Sequence, residues 1–103
     1  MYQHHFDAYD HGTTRGDYNM QRGGQRLVTV LAYLNDVEEG GTTSFWHLNL
    51  EIQPLQGRLL VFHNCLPNTN KKHLKTLHQG NAPLSGEKYA FNLWFHEFPY
   101  QDR

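Results

Sequence analysis

The sequence predicts an all-β domain, which would be a sandwich, a barrel or a jelly roll. One observation is that the runs 26–34 (RLVTVLAYL), 58–63 (RLLVFH) and 87–95 (EKYAFNLWF) are rich in β-branched, aliphatic and aromatic residues, which favour strands. A second is that turns containing glycine or proline separate these runs. A third is that no segment shows a convincing helical period. Six or seven short strands joined by such turns are typical of these three architectures.

Taken in order, the chain alternates predicted strands with turns and two long loops. The predicted strands are residues 2–9, 26–34, 42–45, 48–53, 58–63, 76–79 and 87–95. The predicted turns are residues 35–41, 54–57 and 82–86. Residues 10–24 and 64–75 are polar and without periodicity, so both are predicted to be loops. Loops of this length are uncommon in compact domains unless they are functional, and we expect these two to hold a substrate.

Length and composition exclude several classes of protein. The 103 residues, 38% of them hydrophobic and 14% aromatic, are expected to form a single domain spanning 1–103. A net charge of −1 provides no field that would attract nucleic acid or a membrane surface. Cys65 is the sole cysteine, so an intrachain disulfide is excluded. The sequence shows neither a signal peptide nor an apolar run of the ~20 residues that span a membrane, and a cytoplasmic location is expected.

The segment YQHHFDAY contains a His-x-Asp triplet, formed by His5 and Asp7. Because successive side chains of an extended strand point to opposite faces, these two side chains share one face and can reach one small space. Two histidines and one carboxylate, with open positions left on the metal, are the ligand set of non-haem Fe(II) oxygenases. The triplet therefore predicts part of a metal site, which needs a third ligand from a distant strand.

The C-terminal third of the chain carries a lysine that needs an anionic partner. Lys88 follows His78 by ten residues and lies in the apolar, aromatic strand 87–95, where an unpaired ammonium is costly to bury. Alternation places Ala90, Asn92 and Trp94 on the face of Lys88. The opposite face receives Tyr89, Phe91, Leu93 and Phe95. A dicarboxylate that chelates a metal at one end and meets the ammonium at the other would need this arrangement.

Four segments of the chain, in the same order, resemble signatures of one known family. They are YQHHFDAY, GGQRLVTVLAYLNDVEEGGTTSF, GRLLVFHN and TLHQGNAPLSGEKYAFNLWFHE. The family is the prolyl 4-hydroxylase group of the Fe(II)- and 2-oxoglutarate-dependent dioxygenases, and the resemblance covers nearly the whole chain. It implies a double-stranded β-helix, which is a variant of the jelly roll.

The resemblance also implies roles for individual residues. His5, Asp7 and His78 fall on the iron ligands, and Lys88 falls on the residue that pairs with the C5 carboxylate of 2-oxoglutarate. Tyr33 falls on a strand residue that can hydrogen-bond the same carboxylate. Thr29, four residues earlier on the same strand, is expected to point the same way.

The activity implied by the resemblance is hydroxylation of a prolyl residue at C4 in a peptide or protein. The reaction would decarboxylate 2-oxoglutarate to succinate and CO2, with Fe(II) as cofactor and ascorbate as reductant. Free proline, a lysyl residue and another small molecule are alternative acceptors. A non-catalytic jelly-roll binding module is the second functional hypothesis. A zinc hydrolase is a third, although the H-E-x-x-H pattern of zinc proteases is absent from the sequence.

One departure from the family concerns the N-terminus. Family members usually carry a strand and helices before the segment that corresponds to 2–9, so we expect this chain to be truncated there. By resemblance the missing strand would pair with residues 87–95. A bare apolar edge invites pairing with another chain, so an edge-strand partner or a dimer is expected.

Overall fold

The computed structural model describes residues 3–99. Within them, one α-helix, α1, spans Thr14–Met20, and two single 3₁₀ turns span Trp46–Leu48 and Leu74–Thr76. The strands are β1 (Arg26–Tyr33), β2 (Glu39–Gly40), β3 (Thr43–Phe45), β4 (Leu50–Ile52), β5 (Leu59–His63), β6 (His78–Gly80), β7 (Pro83–Ser85) and β8 (Ala90–His96).

The first sheet is antiparallel, with strand order β5-β1-β8. The three longest runs of β-branched, aliphatic and aromatic residues thus pair with one another, and β1 lies at the centre. In its register Thr29 lies opposite Phe62 on β5 and opposite Trp94 on β8. These three side chains face the interior, since Thr29 and Trp94 both hydrogen-bond Asp7 and Phe62 contacts the second sheet.

The second sheet is also antiparallel, with strand order β4-β3-β6, and it packs face to face with the first. Phe45 of β3 meets Phe62 edge to face with ring centroids 5.1 Å apart, and the hydroxyl groups of Tyr33 and Thr43 hydrogen-bond across the interior at 2.6 Å. Strands β2 and β7 form a separate two-stranded ladder. The domain is a jelly roll of the double-stranded β-helix type, which confirms the predicted fold.

The outer side of the first sheet is apolar and exposed. Six of its side chains, each 50 to 62% exposed, are Leu59, Val61, Tyr89, Phe91, Leu93 and Phe95. The four that belong to residues 89–95 are those predicted to face away from Trp94. Ala90 and Asn92, on the face of Trp94, are exposed as well, so burial distinguishes the two faces only at Lys88 and Trp94. Strand β8 lies at the edge of the sheet in the described part of the chain. A partner for this edge stays a prediction.

The prediction of a helix-free loop at 10–24 is wrong, because α1 lies within it. Thr13 caps this helix, since its Oγ1 accepts a hydrogen bond from the backbone N–H of Gly16 at 3.0 Å, and Asp17 places a carboxylate in the first turn. Both features stabilise a helix N-terminus. Local capping therefore specifies this seven-residue helix, which has no long apolar period. Among residues 3–99, no helix is long and apolar enough to cross a membrane.

Three other predicted elements differ from the structure. The predicted turns 35–41 and 82–86 each contain a short strand, β2 and β7, and these two strands pair with each other. Their pairing is long-range, so local turn chemistry did not reveal it. The predicted strand 2–9 is present only as a bridge between His5 and His78, and its residue 2 lies outside the described residues.

Candidate metal centre

Two backbone hydrogen bonds hold the N-terminal segment alongside β6. The N–H of His5 donates to the carbonyl of His78 at 2.8 Å, and the N–H of His78 donates to the carbonyl of His5 at 3.0 Å. The two imidazole rings consequently lie side by side, with centroids 4.3 Å apart. Asp7 follows on the same side, with Oδ1 at 3.3 Å from Nε2 of His5 and 3.4 Å from Nε2 of His78. The structure thus brings the three predicted ligands together, with their ligand atoms within 4.8 Å of one another.

The tautomers of both histidines leave the correct nitrogen available for a metal. Nδ1 of His5 lies 3.0 Å from the carbonyl oxygen of Gln3, and Nδ1 of His78 lies 2.7 Å from that of Thr76. A carbonyl oxygen only accepts, so each Nδ1 carries the hydrogen and each Nε2 can present a lone pair. Metal-bound histidines usually donate their other N–H to such a partner. Each Nε2 can bind a metal ion once it has released the proton through which it hydrogen-bonds Asp7.

Asp7 supplies the negative charge of the site. It is 4% exposed, and burial alone would raise the pKa of its carboxyl group. Hydrogen bonds with His5, His78 and Thr29 outweigh burial and hold the pKa of Asp7 well below its ordinary value. The hydrogen bond with Asp7 raises the pKa of His5. Asp7 is therefore an ionised carboxylate at neutral pH, as a metal ligand must be.

An apolar wall backs the imidazole of His78. The ring of Phe62 lies 5.1 Å and that of Phe45 lies 5.5 Å from the ring of His78, measured between centroids. His78 is 7% exposed, whereas the side chain of His5 is 52% exposed. One ligand is therefore fixed by the core of the domain, and the site opens to solvent on the side of His5.

Lys88 lies beside two glycines, at the end of the second sheet. A methyl group at Gly80 would meet Nζ of Lys88 at 3.7 Å, and one at Gly41 would meet its Cδ at 3.5 Å. The side chain is half-buried, and burial lowers the pKa of its ammonium group. Within residues 3–99 this ammonium makes no hydrogen bond or ion pair. A buried cation without a partner is costly, so the arrangement suits an anion supplied by a ligand.

Tyr33, at the end of β1 in the first sheet, is buried against the second sheet. It is 1% exposed, and its hydroxyl group lies 2.6 Å from Oγ1 of Thr43, which is paired with Gly80 across β3 and β6. Burial raises the pKa of Tyr33, so the phenol is neutral and can donate a hydrogen bond. The hydroxyl group of Tyr33 is therefore bonded to Thr43, and Gly80, the strand neighbour of Thr43, lies beside Lys88.

Thr29 faces the interior as Tyr33 does, each 1% exposed, which confirms that the two side chains point the same way, but Thr29 contacts Asp7. Its hydroxyl group donates to Oδ2 of Asp7 at 2.7 Å and accepts a hydrogen bond from Nδ2 of Asn64 at 2.8 Å. The side chain therefore belongs to the surroundings of Asp7. Asn64 has no role predicted from the sequence, although a fully buried amide directly after an aliphatic strand is an unusual placement for a polar residue.

The two segments predicted to hold a substrate contact each other. Lys72 forms an ion pair with Asp10, and His11 Nε2 hydrogen-bonds the carbonyl of Asn70 at 2.7 Å. The segment 64–75 also forms one wall of a cavity of about 1230 Å³, whose apolar lining includes Phe45 and Phe62. Phe45 and Phe62 therefore lie between His78 and this cavity.

Two histidines and one carboxylate that converge on one point are the ligand set of mononuclear non-haem Fe(II) oxygenases. Comparison with known proteins agrees with this class. The sequence model of a family described as the 2OG-Fe(II) oxygenase superfamily matches residues 1–96. This chain belongs to that superfamily.

Individual relatives confirm the resemblance to prolyl 4-hydroxylases. The chain is 42% identical over 96 residues to a protein of Acanthamoeba polyphaga mimivirus named "Putative prolyl 4-hydroxylase", covering 93% of this chain and 40% of the relative. It is 35% identical over 102 residues to the human prolyl 4-hydroxylase subunit alpha-3, covering 97% of this chain and 18% of that subunit.

A solved structure shares the fold. The viral collagen prolyl hydroxylase of Paramecium Bursaria Chlorella virus-1, in complex with 2OG, superposes with a TM-score of 0.74 at 34% identity. The match covers 90% of this chain and 50% of that chain. The chain thus spans half or less of the length of these relatives.

Proposed function

We propose that this chain provides the core of an Fe(II)- and 2-oxoglutarate-dependent dioxygenase that hydroxylates a prolyl residue at C4 in a peptide or protein. The observation that carries the proposal is the convergence of His5, Asp7 and His78, with both Nε2 atoms and one carboxylate oxygen facing one point. Membership of the superfamily supports Fe(II) and 2-oxoglutarate as the cofactor and the cosubstrate.

The residues present fit an iron ion and a diacid. Two neutral imidazoles and one carboxylate are the donor set of non-haem Fe(II) enzymes, and the unpaired ammonium of Lys88 suits the second carboxylate of 2-oxoglutarate. When bound, iron would let O2 oxidise 2-oxoglutarate and the substrate together, with one oxygen atom entering succinate as CO2 is lost and the other forming the hydroxyl group of the product. Tyr33, as a buried neutral phenol, is proposed to add a hydrogen bond to the carboxylate that Lys88 holds.

The remaining groups of the chain position these reactants. The backbone carbonyls of Gln3 and Thr76 fix the orientation of the two imidazoles, and Phe45 and Phe62 exclude water from one side of His78. We propose ascorbate as the reductant that keeps the iron in its Fe(II) state. The cytoplasmic location stays a prediction.

Assignment of a prolyl acceptor is supported by the relatives, which are named as prolyl 4-hydroxylases and as a collagen prolyl hydroxylase. We expect a proline-rich peptide, incubated with the chain, Fe(II), ascorbate and 2-oxoglutarate, to gain the mass of one oxygen atom on proline. Tandem mass spectrometry would locate the oxygen and distinguish C4 from other positions by comparison with hydroxyproline standards.

Two controls accompany this measurement. The same peptide without 2-oxoglutarate, and a peptide in which alanine replaces each proline, should both stay unmodified. Oxygen found on lysyl residues or on free proline would reassign the acceptor. Modification that does not require 2-oxoglutarate would contradict the proposed reaction.

A second candidate function is a non-catalytic binding module built on the same fold. The exposed apolar face of the sheet β5-β1-β8 favours it, because extensive exposed apolar surface commonly marks an interaction site. The same face and the edge of β8 are where we propose that an edge-strand partner or a second copy would bind.

Anaerobic addition of Fe(II) and 2-oxoglutarate separates the two candidates. We expect the enzyme to develop a weak visible charge-transfer band, because 2-oxoglutarate chelates iron held by His5, Asp7 and His78. The band should require both additions and should disappear when Zn(II) replaces Fe(II), since Zn(II) has no redox-active d electrons. A chain that binds neither iron nor 2-oxoglutarate would favour the binding module.

A further inference from the structure

The two carboxylate oxygens of Asp7 have different surroundings. Oδ1 faces Nε2 of His5 and Nε2 of His78 at 3.3 and 3.4 Å. Oδ2 accepts hydrogen bonds from Oγ1 of Thr29 at 2.7 Å and from Nε1 of Trp94 at 3.2 Å. One oxygen is therefore open toward the candidate metal position, while the other is occupied by two protein donors.

We infer that Thr29, held by Asn64, and Trp94 are positioning residues that restrict Asp7 to a single metal-binding oxygen. The inference rests on the proposed function, because it assumes that a metal binds at Asp7. Strands β1 and β8, neither of which supplies a ligand, would thereby determine how Asp7 binds the metal.

The directions of the hydrogen bonds around Thr29 follow from donor and acceptor chemistry. An ionised carboxylate only accepts, so the hydroxyl hydrogen of Thr29 must point at Oδ2 of Asp7. The hydroxyl oxygen then has only lone pairs left, and its neighbour Asn64 must present its NH₂ group. The observed contact of Asn64 Nδ2 with Thr29 Oγ1 at 2.8 Å satisfies this requirement.

The backbone of Asn64 is fixed by its surroundings, and its amide is oriented by Thr29. It is fully buried, its backbone N–H donates to the carbonyl of Leu27 at 2.8 Å, and its carbonyl accepts from His73 at 2.9 Å. The side-chain Oδ1 has no hydrogen-bond partner, which is unfavourable for a buried polar atom. The alternative amide orientation would instead set Oδ1 against the lone pairs of Thr29. The relay from Asn64 through Thr29 to Asp7 thus has one direction only.

Trp94 approaches the same oxygen from β8. Its indole N–H can only donate, and the guanidinium group of Arg26 lies 3.7 Å from the centre of the indole ring. Arg26 also lies over Tyr9, at 4.7 Å from that ring. This stacking holds the plane of the indole, so that its N–H stays aimed at Asp7.

The consequence concerns the number of positions that the protein occupies on the metal. On a six-coordinate ion, three protein ligand atoms leave three positions for reactants, which is the arrangement of this enzyme class. A carboxylate bound through both oxygens would leave two. Hydrogen bonds that occupy Oδ2 therefore preserve the third position as well as the orientation of Oδ1.

The test uses the full chain and Co(II), an air-stable probe that absorbs in the visible range. We expect Thr29→Val, which keeps the shape of the side chain and removes the hydroxyl group, to weaken Co(II) affinity about 10-fold or more, as is typical for loss of a residue that orients a metal ligand. The intensity of the Co(II) d–d bands should change with coordination number. Thr29→Ser should restore both the affinity and the spectrum, because it restores the hydroxyl group.

A second variant and a matched control complete the experiment. Trp94→Phe removes the other donor to Oδ2 and should shift affinity and spectrum in the same direction. Thr42→Val alters another buried threonine, whose Oγ1 accepts from Asn81 at 2.9 Å, and should leave both readouts unchanged. Metal-free unfolding midpoints identify any variant that has lost its fold.

The failure of this inference differs from the failure of the proposed function. If the wild-type chain binds Co(II) while Thr29→Val and Trp94→Phe bind it equally tightly and with the same spectrum, the positioning role is overturned and the metal site survives. If the folded wild-type chain binds neither Co(II) nor Fe(II), the metal site itself is overturned, and this inference with it.

Discussion

His78→Ala is expected to abolish metal binding and 2-oxoglutarate turnover. The substitution leaves His5 and Asp7 as the only protein ligands, and the apolar rings of Phe45 and Phe62 offer no replacement donor. Residues that merely orient a ligand contribute ~10- to 100-fold to affinity, so loss of a ligand should cost more than 100-fold. Anaerobic titration with Fe(II) or Co(II) measures the affinity, and release of succinate measures turnover.

The control must separate loss of a ligand from loss of packing. His47→Ala removes an exposed histidine on the 3₁₀ turn Trp46–Leu48 and should change neither quantity. His78→Gln keeps most of the side-chain volume against Phe45 and Phe62, so its metal-free unfolding midpoint should stay closer to that of the wild type. A folded His78→Ala protein that binds Co(II) with wild-type affinity would exclude His78 as a ligand.

Most of the fold could be predicted because its principal strands carry local signals. The ranges 26–34, 58–63 and 87–95 differ from β1, β5 and β8 by three residues or fewer at either end, since runs of β-branched, aliphatic and aromatic residues specify strands wherever they pair. The short strands β2 and β7 have no such composition and exist through their mutual pairing. Helix α1 depends on the cap at Thr13, which a search for apolar periodicity does not detect.

The candidate site could be predicted from the sequence only in part. The shared face of His5 and Asp7 follows from strand geometry and is found in the structure, although only one residue of that segment pairs with β6. The approach of His78 was indicated by resemblance to a family, because no spacing rule brings residues 7 and 78 together. The role of Thr29 was missed for a related reason. That role depends on contacts of Thr29 with Asp7 and with Asn64, which follows β5, and the register between β1 and β5 determines the second contact.

Lys88→Ala is expected to weaken the binding of 2-oxoglutarate while leaving metal affinity unchanged. The ammonium group is half-buried and has no hydrogen-bond or ion-pair partner among residues 3–99, so a bound carboxylate would be its main counter-charge. We expect a loss of roughly 10- to 100-fold, which lies between the effects of exposed and of fully buried ion pairs. Calorimetric titration of the Co(II)-loaded chain with 2-oxoglutarate measures this loss directly, without turnover.

The pH dependence of the same titration tests whether charge is responsible. Burial lowers the pKa of Lys88, and only the protonated form attracts a carboxylate. Wild-type affinity for 2-oxoglutarate should therefore be full below that lowered pKa and should fall as the pH rises through it. Lys88→Met, which keeps the length of the side chain but has no charge, should bind weakly with no such fall, whereas Lys71→Ala in the exposed part of the loop should behave as the wild type. If Lys88→Met binds 2-oxoglutarate as tightly as the wild type, the ammonium does not hold the cosubstrate.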